Sequence, residues 1–422
     1  MAVSPPAVDD SDADPSEVKT KLKNSRWGFV SRIAFAAGAL LTIAVLSISL
    51  MVEDFGRFSG VVALVAIVGG LARMGSSELM LERLAREPDE LRAAYGRALG
   101  TSVSAVALCI GVLAVLRPVL LPEQSLFFVL ALGIGELLHI QSIDISIKLL
   151  NSLGKFRRAA LQAVASVLIR LGAVSTLLIW PAESLNDVGL RYAAAGIIVW
   201  LAGLASVIPV VGRPKLSVPT TIGEIRRGGT IAVGQTSLTV STRIDQTLLL
   251  RAGLEGDAGI YSFGARIVFN AMLPAQALLE VVYPDFFRAG AEGDGSAHAL
   301  ARRLAKPLVI YGAFAALVLL GVAPIVEWLL DASFQGVAWV IVAMAGFPAI
   351  RITQSLAGDV LTGLGAHAIR SNATIAAGVL NILMNLALIP SLGWRGAAIS
   401  TYAADIFLLL AFIFAANRRR EH

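Results

Sequence analysis

Apolar residues along this chain fall into long blocks separated by short polar clusters. A membrane-spanning helix needs about 20 mostly apolar residues. Twelve blocks fit: 29–51, 57–80, 98–117, 125–147, 157–180, 189–211, 228–250, 257–283, 305–329, 335–362, 368–390 and 395–417. The pattern predicts an all-α polytopic membrane protein with twelve transmembrane helices. Composition agrees, at 56% hydrophobic, 15% charged and mean hydropathy +0.74, whereas soluble domains carry about 25% charged residues.

Loop charge sets the orientation. With both termini in the cytoplasm, the tails and the loops after even-numbered spans hold 24 of the 35 Lys/Arg, and the outer loops hold five: Arg57, Arg117, Arg191, Arg251 and Arg395. That is the bias of the positive-inside rule. The formal net charge of +5 therefore orients the protein and meets anionic headgroups, and nucleic acid is excluded as a partner. Residues 1–25, acidic and then lysine-rich, read as a disordered cytoplasmic tail without signal-peptide order. Cys109 is the single cysteine, so no disulfide framework exists.

An internal repeat divides the spans. Asp54-x-Gly56-x-Phe58 returns as Asp257-x-Gly259-x-Tyr261, offset by 203. Leu150-Asn151-Ser152-Leu153-Gly154 returns as Leu361-Thr362-Gly363-Leu364-Gly365 at 211, and Tyr192-Ala193-Ala194 as Tyr402-Ala403-Ala404 at 210. A longer loop over 289–299 absorbs the shift. Six spans per unit give both units the same orientation, a parallel pseudo-two-fold repeat of the kind alternating-access transporters use. The expected parts are a six-helix bundle over 26–211, a linker over 212–227, a second bundle over 228–417 and a basic tail over 418–422.

Charges left within the spans carry the chemistry. The six remaining cations are all arginine: Arg32, Arg73, Arg170, Arg243, Arg266 and Arg351. A charge at a helix centre costs about 2.5–3.5 kcal/mol on insertion scales and marks a wet interior path. Arg32 lies near the surface and can snorkel. Asp144 and Lys148, four apart, are expected to pair. In span 7, Gln235, Thr239, Thr242 and Gln246 form one polar stripe, flanked by Arg243 and Asp245. Spans 5, 8, 10 and 11 place Arg170, Arg266, Arg351, and Asn381 with Asn385, on polar faces. The arginine excess favours an anionic cargo, because guanidinium matches phosphate bidentately and keeps its proton. Glu136, Asp245 and Asp359 are the acidic candidates for ion coupling, and Asp245 can equally neutralise a neighbouring arginine. No nucleotide-binding loop occurs, the four histidines lack metal spacing, and no cofactor is expected.

Phe55-Gly56-Arg57-Phe58, the Ile244-Asp245 to Gly259-Ile260-Tyr261 junction and Gly393-Trp394-Arg395-Gly396-Ala397-Ala398 resemble polysaccharide biosynthesis/export proteins. These are the O-antigen-type flippases of the multidrug/oligosaccharidyl-lipid/polysaccharide (MOP) superfamily. Val52-Glu53 stands where that family carries Gly-Pro. The resemblance implies two six-helix bundles in a V around a central cavity, and transfer of an undecaprenyl-pyrophosphate-linked oligosaccharide across the cytoplasmic membrane during lipopolysaccharide assembly, beside other glycan-assembly membrane proteins. On that reading Arg170, Arg243, Arg266 and Arg351 meet the pyrophosphate, while Gln235, Thr239, Thr242, Gln246, Asn381 and Asn385 meet sugar hydroxyls. A cation-coupled MATE-type exporter predicts an acidic cavity instead. A membrane-embedded glycan polymerase or ligase predicts a long outer loop, and an inert scaffold leaves the buried arginines unexplained.

Overall fold

The computed structural model describes residues 15–73, 75–215, 222–291 and 294–420. Within them every regular element is helical. α1 (Pro15–Ser49) contains span 1 and starts inside the stretch read as a tail; residues 1–14 lie outside the described residues. α2 (Val52–Ala72) is span 2. It stops short of its predicted end, because Gly75, at φ 59°, turns the chain into the amphipathic α3 (Ser76–Arg86). α4 (Leu91–Leu120) is span 3. Span 4 is α5 (Leu126–Ser142), a π-turn over Ile143–Ile147, and α6 (Lys148–Ser152). α7 (Phe156–Ser175) and α8 (Leu185–Val211) complete the first six spans, and α9 (Ile222–Arg251) is span 7.

Two predicted spans are broken. Span 8 is α10 (Glu255–Asn270) and α11 (Leu273–Ala291), bent by 47°. After α12 (Asp294–Leu329), span 10 is α13 (Val337–Met344) and α14 (Phe347–Gly363), bent by 46°. Proline causes both breaks: Pro274 and Pro348 each lack an N–H and clash with the carbonyl four residues back. A tyrosine hydroxyl serves a carbonyl beside each break, Tyr311 donating to Ala271 O (2.7 Å) and Tyr402 to Ala343 O (3.0 Å). α15 (His367–Leu392) and α16 (Trp394–Arg420) close the chain. The predicted loop over 289–299 is helical on both sides of the two undescribed residues, 292 and 293.

Among the described residues eight helices are long and apolar enough to cross a membrane, or ten counting each bent pair once. Of the other two predicted spans, α1 has only a short apolar run, Ile33–Ser49, and α9 carries Arg243 and Asp245 in its core. These are the first helices of the two repeat units. Both lend polar or small residues to the interior, which dilutes their apolar length.

Packing repeats along with sequence. α1 packs on α7 as α9 does on α15; α7 packs on α8 as α15 does on α16; α2 meets α5 as α10 meets α13. The recurring Leu-x-x-Leu-Gly turns share one geometry. Gly154 and Gly365 both have φ 69°, and six-to-one hydrogen bonds close each turn, Lys155 N–H to Leu150 O (2.7 Å) and Ala366 N–H to Leu361 O (2.8 Å). These are Schellman caps, in which glycine supplies the left-handed residue.

The two units meet through their repeated Asp-x-Gly-x-aromatic motifs. A Cβ on Gly56 would lie 1.9 Å from Glu255 O and 2.8 Å from Gly259 N, and one on Gly259 would lie 2.2 Å from Val52 O. Four residues on, Gly60 faces Gln246 and Leu250 of α9, and Thr247 donates to its carbonyl (3.0 Å). Gly56-x-x-x-Gly60 is a small-residue stripe of the kind that lets membrane helices approach closely. Phe55, Phe263 and Phe334 pack edge-on beside it, with centroids 5.6–6.1 Å apart. Asp257 accepts from Trp394 N–H (2.9 Å), an acid at the start of α16.

Gly56→Leu is expected to drive α2 off α10 and cost about 1–3 kcal/mol, the scale of overpacking. Gly111→Leu, where a side chain meets open space, should change little. Thermal unfolding in detergent separates the two; equal melting temperatures would mean that the crossing tolerates side chains.

Candidate functional site

Beneath the Gly56 crossing lies a cavity of about 690 Å3. Its wall draws on both units. Phe58, Val62, Ala66 and Arg73 line it from α2, one helical face at spacings of four, four and seven. α5 adds Glu136 and His139, α7 adds Arg170, and α8 adds Tyr192. From the second unit come Thr239, Thr242, Arg243 and Gln246 of α9, Arg266 and Asn270 of α10, Gln276 of α11 and Arg351 of α14. The broken helices matter here: Asn270 and Gln276 sit on either side of one bend, and Arg351 is the fifth residue of the helix after the other.

Among the described residues five arginines therefore share one chamber with a single lining carboxylate residue, Glu136. Arg170 is bonded to Glu136 and lies over the Tyr192 ring, 4.9 Å from its centroid. Arg351 donates to Asp405 of α16 at 2.5 Å. Arg243, Arg266 and Arg73 have no carboxylate within 4.0 Å among the described residues. Arg266 stands over Phe55, 6.0 Å from its centroid, within electrostatic range of Arg243 and Arg170. The Arg73 Nε is buried without a partner. Like charges so placed repel, and they persist only in a wet chamber or around a polyanion. Guanidinium donors in a fixed fork suit phosphate.

All four arginines singled out from sequence come to this cavity, with Thr239, Thr242 and Gln246; the Gln235 and Arg32 side chains lie outside the described residues. Asn381 and Asn385 do not reach it. Asn385 donates to Asn381 (3.0 Å), and both are buried in the packing around α15, which contacts α9 and α16. Of the three acidic candidates, Glu136 is tied to Arg170. Asp359 faces away, 3.5 Å from Arg370. Asp245 forms no ion pair with Arg243. It accepts from Tyr261 (2.5 Å), Thr401 (3.4 Å) and the Gln246 N–H (2.8 Å), buried behind the wall. Arg73, Tyr192 and Gln276 also line the wall, beyond the residues that sequence pattern singles out. For Arg73 the signal was its register with Phe58, Val62 and Ala66.

A family model described as "Polysaccharide biosynthesis protein" matches residues 22–289. No curated protein matches the chain significantly. Among solved structures, an inward-facing multidrug resistance MATE family transporter of the MOP superfamily gives a TM-score of 0.75 at 14% identity, covering 91% of this chain and 95% of that one. The lipid II flippase MurJ, inward closed, gives 0.65 at 14%, covering 94% and 87%. A MOP superfamily transporter from Pyrococcus furiosus, described by a reverse polarity of its binding pocket, gives 0.57 at 13%, covering 95% and 96%. The fold is that of MOP transporters.

Because Arg243 and Arg266 lack counter-charges, Arg266→Met is expected to raise thermal stability. Glu136→Gln should lower it by about 1–3 kcal/mol, the cost of stranding a partly buried charge. Melting curves in detergent check the opposite signs; a shift of both in one direction would contradict the charge assignment.

Proposed function

This chain belongs to the polysaccharide biosynthesis protein family, and from that premise we propose that it is a flippase for lipid-linked oligosaccharides, working by alternating access. It is a multi-pass membrane protein. The observation that carries the reading is the arginine wall: five cations, three of them without an acid partner among the described residues, around one cavity. A polyprenyl pyrophosphate is the anion that suits it. Arg243, Arg266 and Arg73 would take the phosphates, with Arg170 and Arg351 held ready by Glu136 and Asp405. Thr239, Thr242 and Gln246 would meet sugar hydroxyls. The volume lies in the range of small-molecule sites, about 300–1,000 Å3, so a pyrophosphate with its first few sugar rings fits, while the polyprenyl tail stays in lipid.

In this reading residues 26–211 and 228–417 form the two bundles, 212–227 joins them, and both termini face the cytoplasm. The Gly56 end is then the outer end. With it closed, the cavity serves the cytoplasmic leaflet, where repeat units of the O-antigen type are built. Asp245 is the coupling candidate, because Glu136 and Asp359 already have arginine partners. A MATE-type exporter of cationic drugs fits less well: the one carboxylate on the wall is bonded to Arg170.

Two measurements test this. In proteoliposomes holding a fluorescent polyprenyl-pyrophosphate oligosaccharide, Arg266→Gln and Arg243→Gln are each expected to slow transfer at least tenfold, the scale of one charge-assisted bond lost. Unchanged transfer in folded protein would remove these residues from the site. Asp245→Asn should retain cargo binding but abolish any response of transfer to an imposed ion gradient. A full gradient response in that variant would end its candidacy.

A further inference from the structure

Helix α5, through its π-turn and α6, has a second polar face that the cavity does not use. Gln141, Asp144 and Lys148 lie along it at i, i+3 and i+7, and all three reach the corner where α2 ends and α3 begins. The Gln141 amide donates to Ala72 O at 2.6 Å. Ser77 donates to Asp144 at 2.5 Å, and the Lys148 ammonium bonds Ser77 (2.9 Å), Asp144 (2.8 Å) and Glu78 (2.8 Å). Ala72, Ser77 and Asp144 are buried. Between Ala72 and Ser77 stands Arg73, a residue of the cavity wall whose Nε is buried and unpartnered.

We propose that Gln141, Asp144, Lys148 and Ser77 form a clamp that positions Arg73 to bind the phosphates of an anionic lipid at the edge of the cavity. The proposal rests on the flippase reading above. Three features carry it. The corner needs holding, because α2 stops there and Gly75 is left-handed. Both acids at the corner, Asp144 and Glu78, bond Lys148, and among the described residues no carboxylate lies within 4.0 Å of Arg73, which leaves the arginine's charge for a ligand. And the π-turn, a device frequent at functional sites, falls on the segment that carries Asp144, while the α-helical turns before it carry the cavity residues Glu136 and His139. One helix thus lines the chamber and fixes its rim. Asp144, Lys148, Gln141 and Ser77 are positioning residues; of these five, Arg73 is the one that touches cargo.

The test is a double-mutant cycle read by titration calorimetry of full-length protein in nanodiscs with farnesyl diphosphate as probe. Arg73→Gln and Asp144→Ala are each expected to weaken binding by about tenfold, one charged hydrogen bond. Asp144→Ala in the Arg73→Gln background should weaken it no further, because the clamp acts through Arg73. Asp144→Glu should restore much of the affinity. If Asp144→Ala weakens binding equally in both backgrounds, or leaves it unchanged, the clamp is refuted. If Arg266→Gln abolishes binding while Arg73→Gln does not affect it, the clamp falls and the flippase reading stands. If the wild type binds no diphosphate at all, both fall together. Melting temperatures of each variant identify any loss that comes from unfolding.

Discussion

The whole arrangement depends on how closely α2 can approach α9 and α10. In lipid there is no hydrophobic drive between helices, so association comes from close packing and a few hydrogen bonds. Gly56 and Gly60 bring backbone against backbone, and a methyl group at either position would collide with Glu255 O or with Leu250. That contact closes one end of the molecule. It also fixes where the chamber begins: below Gly60, α2 turns Val62, Ala66 and Arg73 toward an interior that α9 borders with Thr239, Thr242 and Arg243. Side chains at the crossing would separate the units, and the arginines would then face lipid or open water.

Burying cations is costly, so their distribution identifies which ones the fold itself needs. Lys148 is surrounded by Asp144, Glu78 and Ser77. Arg370 bonds Thr362 and sits near Asp359. These sites are balanced. Arg243, Arg266 and Arg73 are not, and sites that conflict with stability are where function is expected. Arg170 and Arg351 lie between these cases. Each faces the chamber bonded to an acid, Glu136 on the wall for Arg170 and Asp405 behind it for Arg351, so its position is set before any ligand arrives, which lowers the ordering cost of binding.

Much of this could be read in the sequence, and what could not has a physical cause. Apolar length marked the spans, and charge counting isolated the arginines, because both are properties of residues one at a time. The glycine repeat at Gly56 and Gly259 was visible, but not that the two copies touch each other; that is a tertiary fact. The breaks at 271–272 and 345–346 were legible in principle from Pro274 and Pro348. Hydropathy averages across proline, and so each pair of helices reads as one span. Asn381 and Asn385 share a helical face, and periodicity identified that face without saying what it meets. It meets neighbouring helices, and the two amides bond each other. For Asp245, the sequence allows either ion coupling or neutralisation of a neighbouring arginine. Arg243, two residues away, points about 200° round the helix, and the carboxylate is taken by Tyr261 and Thr401, partners from α10 and α16 that no local spacing reveals.

A chamber closed at one end is useful to a transporter only if the closure can be undone, and the magnitudes favour that. The one ion pair across the crossing among the described residues, Arg57 to Glu255, spans 4.0 Å with Arg57 two-fifths exposed; such a pair is worth about 0–1 kcal/mol. Two hydrogen bonds join the units at this end, Thr247 to the Gly60 carbonyl (3.0 Å) and the exposed Arg251 to the Val119 carbonyl (2.6 Å), each worth about 1 kcal/mol. The remainder is van der Waals contact between glycine faces and the three edge-packed phenylalanines, a contact that fades steeply with separation and has no directional bonds to break. The individual units, by contrast, are held by buried charge pairs and Schellman turns that do not cross between them. The strong interactions therefore lie within each unit and the weak, shape-dependent ones between them, which is the division of energies that two rigid bodies rocking about a shared seam require.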